Sequence, residues 1–252
     1  MIKQWSLLTL AVCASVSQLA FAESVTDQAD SKGFIEGSSM TGLLRNYYFD
    51  RDRQSGKADN RDWTQGAMLN YASGFTQGTI GFGMDAYAYG AMKLDATHAD
   101  AGTGELPTDR NGDPANGYGS VGAAVKIKVS KTQLKFGDMQ PTAPVFATGG
   151  TRILPQTATG FDLTSSEIAG LDLEAGHFTS TNSGMTSNHD HDIYATYANV
   201  AANSASFIGG KYTFTPSLSA TVYAGELEDI WRQYYTNLNY VLPLAHDQSL
   251  AL

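Results

Sequence analysis

Cysteine is almost absent from this chain. Its 252 residues contain one, Cys13, near the N-terminus. A lone cysteine cannot form a disulfide within the chain, and thiolate metal sites need several sulfur ligands. Both features are therefore excluded for a single chain. Val12, just before Cys13, also argues against a lipoprotein signal, which needs a small residue at that position.

Long apolar runs are also missing after residue 22, so the sequence predicts no transmembrane helix. The segment before it has the features of a secretory signal peptide at 1–22. These are Lys3, a short apolar core from Leu7 to Val12, and the cleavage pattern at 20–22, Ala-Phe-Ala. We expect the mature chain to begin near Glu23. The alternative is an amphipathic first helix of a cytosolic protein.

Proline and charge are both limited. The chain has 7 prolines against 26 glycines and 13 tyrosines, with 16% charged residues and a net charge of −9. We expect no nucleic-acid partner. This composition fits a transmembrane barrel, whose strands are not apolar in bulk, and it equally fits an exported β-sandwich that binds or adheres. Composition alone does not decide between them.

Strand-like alternation is clearest from Val121 to Val129. Its odd positions are apolar or small, and its even positions include Lys126 and Lys128. In a barrel the apolar row faces lipid and the lysines face the lumen, where plain solvation is their expected role. In a sandwich the same apolar row faces the core and the lysines are solvated. The two remain open at this point.

The connections between predicted strands alternate in length. Short turns fall near 73–74, 129–132, 167–170, 215–217 and 245–247, and longer polar connections near 50–61, 95–118, 138–158 and 180–205. Short turns at one end and long loops at the other are typical of outer-membrane barrels. We count about ten strands and the start of an eleventh at Gln248. No repeat with a period of about 20 to 50 residues is present, which argues against a propeller or solenoid.

The longest irregular segment lies between strand-like sequences in the stretch from Lys135 to Phe178. Prolines and glycines interrupt it at Pro141, Pro144 and Gly149–Gly150. A compact domain rarely carries so long a loop without a function. We therefore expect the loop at about 138–158 to fold inward and narrow a lumen.

This stretch, KFGDMQPTAPVFATGGTRILPQTATGFDLTSSEIAGLDLEAGHF, resembles the OprD (porin D) family of outer-membrane channels. Further matches are GFIEGSS at 33–39, LLRNYYFDRD at 43–52, RDWTQG at 61–66, SGFTQGTIGFGMDA at 73–86 and GELEDIWRQYY at 225–235. Together they cover nearly all of the chain after residue 30.

The resemblance implies an all-β fold, a transmembrane antiparallel up-and-down β-barrel of about 18 strands. Residues 23–252 would be its N-terminal part, so we expect a truncated porin. The implied function is passive diffusion of small carboxylate-bearing solutes, such as amino acids, small peptides or aromatic acids, across the outer membrane. Neither an enzymatic activity nor a cofactor is implied. The expected partners are these solutes, outer-membrane lipid and the assembly machinery; the oligomeric state stays open.

The resemblance also implies a row of arginines that guides carboxylates along the lumen, where the planar guanidinium matches the carboxylate. The expected substrate-binding residues are Arg45, Arg51, Arg61, Arg152 and Tyr197. Arg45 and Arg51 share one face of a strand by alternation, whereas the register of Arg61 across its loop is open. Arg152, in the inward loop, is the candidate constriction residue; the alternative is an arginine that holds the loop against the barrel wall by hydrogen bonds. For Arg45 and Arg51 the alternative is a solvated strand end that pairs with nearby aspartates. Tyr197, like its neighbour Tyr194, lines the eyelet or belongs to an interfacial aromatic girdle.

Two other clusters carry weaker hypotheses. The run His-Asp-His-Asp at 189–192 has metal-ligand composition, but neighbouring loop residues seldom converge on one ion, so no metal site is predicted. His177 and Asp229 would suit a serine peptidase. No G-x-S-x-G motif is present, and both residues lie in strand-like sequence, so we do not expect an enzyme.

Overall fold

The computed structural model describes residues 24–54, 58–150, 152–195, 198–243 and 249–251. The predicted signal peptide, 1–22, and Tyr197 lie outside these residues. A 3-10 helix, Gln28–Asp30, precedes the strands. Within the described part of the chain, no helix is both long enough and apolar enough to cross a membrane.

Strands account for most of the described chain. They are β1 (Ser39–Arg51), β2 (Asn60–Ala72), β3 (Ile80–Asp95), β4 (Gly117–Val129), β5 (Thr132–Met139), β6 (Thr142–Ala143), β7 (Phe146–Ala147), β8 (Thr157–Ile168), β9 (Leu171–Asn182), β10 (Ile193–Ala195), β11 (Val200–Ala202), β12 (Ala205–Thr215), β13 (Leu218–Leu227), β14 (Trp231–Pro243) and β15 (Ser249–Ala251).

Eleven of these strands form one antiparallel sheet in the order β1-β2-β3-β4-β5-β8-β9-β12-β13-β14-β15. Strands that follow one another along the chain in this sheet are also neighbours in space, so the sheet is a simple meander. The two remaining pairs, β6–β7 and β10–β11, are small hairpins within long connections. The prediction of about ten strands with the start of an eleventh near Gln248 agrees with this sheet.

One face of the sheet exposes apolar side chains and the other buries charged ones, which is the reverse of a sandwich. On β4, Val121 and Val125 are 69% and 57% exposed, whereas Lys126 and Lys128 are only 7% and 4% exposed. We call the face with the lysines the inner face and the other the outer face. A sandwich would bury the valines and solvate the lysines, so this pattern favours a barrel wall in lipid. The predicted alternation is confirmed, but plain solvation of the lysines is wrong.

Among the described residues, the connections keep the predicted alternation of length with one exception; the short turn predicted at 245–247 lies outside these residues. Connections 73–79, 130–131, 169–170 and 216–217 lie at one end, which we call the short-turn end. The connections 52–59, 96–116, 140–156 and 183–204 lie at the other, the long-loop end. The exception is the tight turn 228–230 at the long-loop end, where Asp229 adopts a positive φ of 58°.

Candidate functional site

The connection 140–156 packs against the inner face of the sheet. Ile153 and Leu154 are 0% and 2% exposed and pack in one apolar cluster with Met68 and Tyr89. Gly66 of β2 makes this approach possible, because a Cβ at that position would lie 3.0 Å from the Ile153 side chain. The sheet and loop therefore place Arg152, the neighbour of Ile153, at the inner face.

Arg152 is held by a buried carboxylate from another loop. Its Nη1 donates to Glu105 Oε1 at 2.9 Å, and the Ile153 amide donates to Glu105 Oε2 at 2.6 Å. The Glu105 side chain is fully buried, whereas the Arg152 side chain is 42% exposed. In this ion pair the Glu105 carboxylate is therefore buried, while the Arg152 guanidinium stays accessible at the inner face.

Sequence reasoning missed Glu105, which lies in the 96–116 connection. Gly102 and Gly104 surround Thr103 and both adopt positive φ, at 94° and 86°. They bend the backbone so that Glu105 and the buried Leu106 turn inward. Paired glycines before an acidic and an apolar residue, inside a polar loop, were the available signal.

Arg45 of β1 binds the backbone of the same loop. Its Nη1 donates to the carbonyl oxygen of Gly150 at 3.1 Å and to that of Arg152. These bonds use the guanidinium to fix the loop, and the side chain has no carboxylate partner among the described residues. Arg45 and Arg152 are therefore brought together, with a net positive charge between them.

Arg51 is linked to Arg152 by one aromatic ring. The guanidinium carbon of Arg51 lies 5.0 Å from the centre of the Phe49 ring, and that of Arg152 lies 5.3 Å from it. Both are cation–π distances. Arg45, Phe49 and Arg51 are separated by even numbers of positions on β1, so the strand places all three on the inner face. Arg45, Arg51 and Arg152 form what we call the arginine cluster.

Arg61 does not join the arginine cluster. It pairs in register with Asp50 on the outer face of β1 and β2, next to Trp63. Its Nη2 lies 3.5 Å from Asp100 Oδ2. The expected lumen position for this residue has no support in the geometry, since an odd position on β2 faces outward while Asp62 and Thr64 face inward.

The tyrosine pair is only partly described. Tyr197 lies outside the described residues. Tyr194 of β10 is 55% exposed, and its hydroxyl donates to Asn199 Oδ1 at 2.6 Å. Its side chain lines a small cavity with Phe146 and Trp231 near the long-loop end.

The inner face carries a second group of charges in the middle of the wall. Asp85 accepts from Lys126 Nζ and forms an ion pair with Lys135 Nζ, each at 2.6 Å. Asp85, Lys126 and Lys135 come from β3, β4 and β5, which are neighbours in the sheet. The lysines are neutralised in part by Asp85, so the wall is polar but less positive than the arginine cluster.

The histidine-rich run packs on this wall without forming a metal site. His189 Nδ1 lies 3.4 Å from Asp138 Oδ2, and its Nε2 lies 3.4 Å from Ser120 Oγ. The described residues contain no group of three or more His, Cys, Asp or Glu that is placed to hold an ion. His177 bonds instead to Ser206 Oγ at 2.8 Å on the outer face, while Asp229 lies in the β13–β14 turn.

An antiparallel meander with an apolar outer face, a charged inner face and inward loops defines the wall of a β-barrel channel. A sequence model described as outer membrane porin, OprD family, matches residues 32–252. Porin D of Pseudomonas aeruginosa is 58% identical over 250 residues, which are 99% of this chain and 56% of that protein. The chain belongs to the OprD family of outer membrane porins.

Solved structures agree with this assignment. OprD of Pseudomonas aeruginosa is 54% identical, with a TM-score of 0.72 over 90% of this chain and 50% of that one. OpdK of the same species, solved with vanillate, is 34% identical, with a TM-score of 0.79 over 87% of this chain and 56% of that one. The chain spans about half the length of the relatives it matches. These relatives are non-enzymatic channels of the outer membrane, which excludes the sandwich and peptidase alternatives.

Proposed function

We propose that this chain forms part of the wall of a channel for passive diffusion of small carboxylate-bearing solutes. One observation carries the proposal: Arg152 is fixed to a fully buried Glu105 while its own side chain stays 42% exposed at the inner face. A cation that is rigid and accessible is what weak recognition of a passing anion requires.

The rest of the arginine cluster supports the same substrate class. Arg45 and Arg51 lie on the same face of β1 and add positive charge beside Arg152. Arginine offers a planar fork that matches a carboxylate, and the Phe49 ring between Arg51 and Arg152 offers an apolar surface. Small aromatic acids combine a carboxylate with an apolar ring, and vanillate, with which OpdK was solved, is one of them.

The mechanism involves binding and release without covalent steps. A carboxylate loses part of its hydration when it enters a narrow lumen, and the guanidinium groups replace those lost interactions. The loop 140–156 sets the width of the lumen, because Ile153 and Leu154 fix it to the wall.

We include outer-membrane lipid and the assembly machinery among the partners because the outer face is apolar.

The test compares uptake of benzoate and its neutral analogue benzamide by proteoliposomes that contain the protein. Arg152→Gln and Arg45→Gln are each expected to lower the benzoate-to-benzamide ratio roughly five- to tenfold, since each removes a charged hydrogen-bond donor. Arg61→Gln is the matched control, because Arg61 lies on the outer face, and it should leave the ratio unchanged. Equal losses for benzoate and benzamide would contradict the proposed substrate class.

A further inference from the structure

The segment Ser24–Ser31, which we call the strap, lies across the sheet at the short-turn end. Its bonds reach several hairpins: the Val25 amide donates to Ser166 Oγ at 2.9 Å, and Ser24 Oγ donates to Asp172 Oδ2 at 3.0 Å. The Gln28 amide donates to the carbonyl oxygen of Ser130 at 2.8 Å. From β3 to β9 this path crosses five neighbouring strands, about 19 Å at the usual strand spacing.

Gln28 anchors the strap and is 2% exposed. Its Nε2 donates to the carbonyl oxygens of Thr76 at 2.8 Å and Gly78 at 3.1 Å, which closes the β2–β3 turn onto it. A Cβ added at Gly81 would collide with the Gln28 amide. Gly81 is an inward position of β3, so the strap lies on the inner face and not on the rim.

The strap covers a cation. Lys128 is 4% exposed. Its Nζ lies 3.5 Å from Thr26 Oγ1 in the strap and 4.3 Å from the centre of the Phe75 ring. Lys126, by contrast, has Asp85 as an ion-pair partner at 2.6 Å. Within the described chain, no carboxylate lies within ion-pair distance of Lys128. An ammonium without such a partner is costly to bury, so its cover has to be held in place by other contacts.

Those contacts are the bonds of Gln28, Val25 and Ser24. We propose that the strap is a second constriction of the channel, at the short-turn end, which narrows the lumen and shields Lys128 from the solute. The strap brings its own carboxylates, Asp27 and Asp30, to this end of the wall. A carboxylate that has passed the arginine cluster therefore meets a narrow, acidic segment in place of another exposed cation, which favours its release.

This inference rests on the proposed channel function, but its first test needs no solute. In a Cys13→Ser background, Lys128→Cys is the chain's one cysteine. Its rate of modification by a negatively charged methanethiosulfonate should be slow. Adding Gln28→Ala should speed this reaction at least about tenfold, because the loss of buried hydrogen bonds frees the strap. Gln77→Ala is the matched control, an exposed glutamine in the turn that Gln28 binds.

Single-channel conductance in planar bilayers is the second test, with Lys128 intact. Gln28→Ala should raise the conductance about 1.5-fold or more and increase anion preference, since the lumen widens and Lys128 becomes exposed. Gly81→Leu gives an independent variant, because its side chain displaces Gln28 while the sequence of the strap stays the same. It should have the same two effects.

The outcomes separate this inference from the proposed function. Faster modification together with higher conductance supports the strap as a constriction. Faster modification with unchanged conductance overturns the constriction, and an unchanged or already fast modification rate overturns the shielding of Lys128. Strap-dependent conductance in a channel without carboxylate preference would contradict the proposed substrate class and leave the strap inference standing.

Discussion

A single buried carboxylate, Glu105, determines where the Arg152 guanidinium lies. It accepts from both Arg152 Nη1 and the Ile153 amide, so one side chain fixes the cation and the loop backbone. Removing the Glu105 carboxylate leaves both donors without their acceptor. This loss costs more than the loss of an exposed ion pair. Glu105 is therefore a positioning residue for the arginine cluster.

Glu105→Gln should lower the free energy of unfolding by about 2 kcal/mol, because a buried, charged acceptor of two hydrogen bonds is lost. Denaturant unfolding followed by tryptophan fluorescence measures this value. Glu226→Gln is the control, since Glu226 and Arg232 form an exposed pair at 3.0 Å with side chains 49% and 70% exposed. The control should change the free energy by less than about 0.5 kcal/mol. Equal losses in both variants would contradict the role assigned to Glu105.

For single residues, the sequence predicts which face of the sheet a side chain lies on better than it predicts the groups that side chain contacts. Alternation places Arg45, Arg51, Lys126 and Lys128 on the inner face. It also places Arg61 on the outer face once the register between β1 and β2 is known. The sequence left that register open across the 52–59 loop, so the face of Arg61 could not be predicted. The glycines beside Glu105 were a signal that it turns inward, but its pairing with Arg152 was not predictable, since the two residues are 47 positions apart in different loops.

The inward loop is an element whose position depends on close packing. Gly66 leaves room for Ile153, and the cluster around Ile153 and Leu154 then excludes water from the contact. The sequence predicts the existence of this loop from its prolines and glycines. It does not predict the β6–β7 hairpin inside it, because pairs of two-residue strands have no periodicity to recognise.

Gly66→Ala should loosen this loop, because the new Cβ would lie 3.0 Å from the Ile153 side chain and 3.3 Å from its carbonyl oxygen. We expect a loss of about 1 to 3 kcal/mol in the free energy of unfolding. Limited proteolysis should also cut the chain faster within 140–156. Gly90→Ala in β3 is the matched control, since no atom lies within 4 Å of the added Cβ. Similar cleavage of both variants would show that Gly66 does not seat the loop.

On the scale of the whole molecule, the two faces of the sheet explain both its environment and its proposed activity. The outer face exposes aliphatic and aromatic side chains such as Val125, Phe136 and Ile208. The inner face buries lysines, carboxylates and tyrosines under inward segments of the described chain, which include the strap, the loops that carry Glu105 and Arg152, and the 183–204 connection with His189. Periodicity and loop lengths favoured this architecture, and the resemblance to the OprD family specified it. The sequence predicted the inward loop at about 138–158, but not the strap or the loop that carries Glu105, because the contacts of these two segments are long-range.

The arginine cluster is proposed to recognise a carboxylate. The most direct test is the ionic current through the protein in planar bilayers, with benzoate or benzamide added on the long-loop side. We predict brief, concentration-dependent interruptions of the current with benzoate and none with benzamide, because only benzoate carries the charge that the guanidinium groups bind. Interruptions of equal frequency with both solutes would show that the arginine cluster does not select for the carboxylate charge.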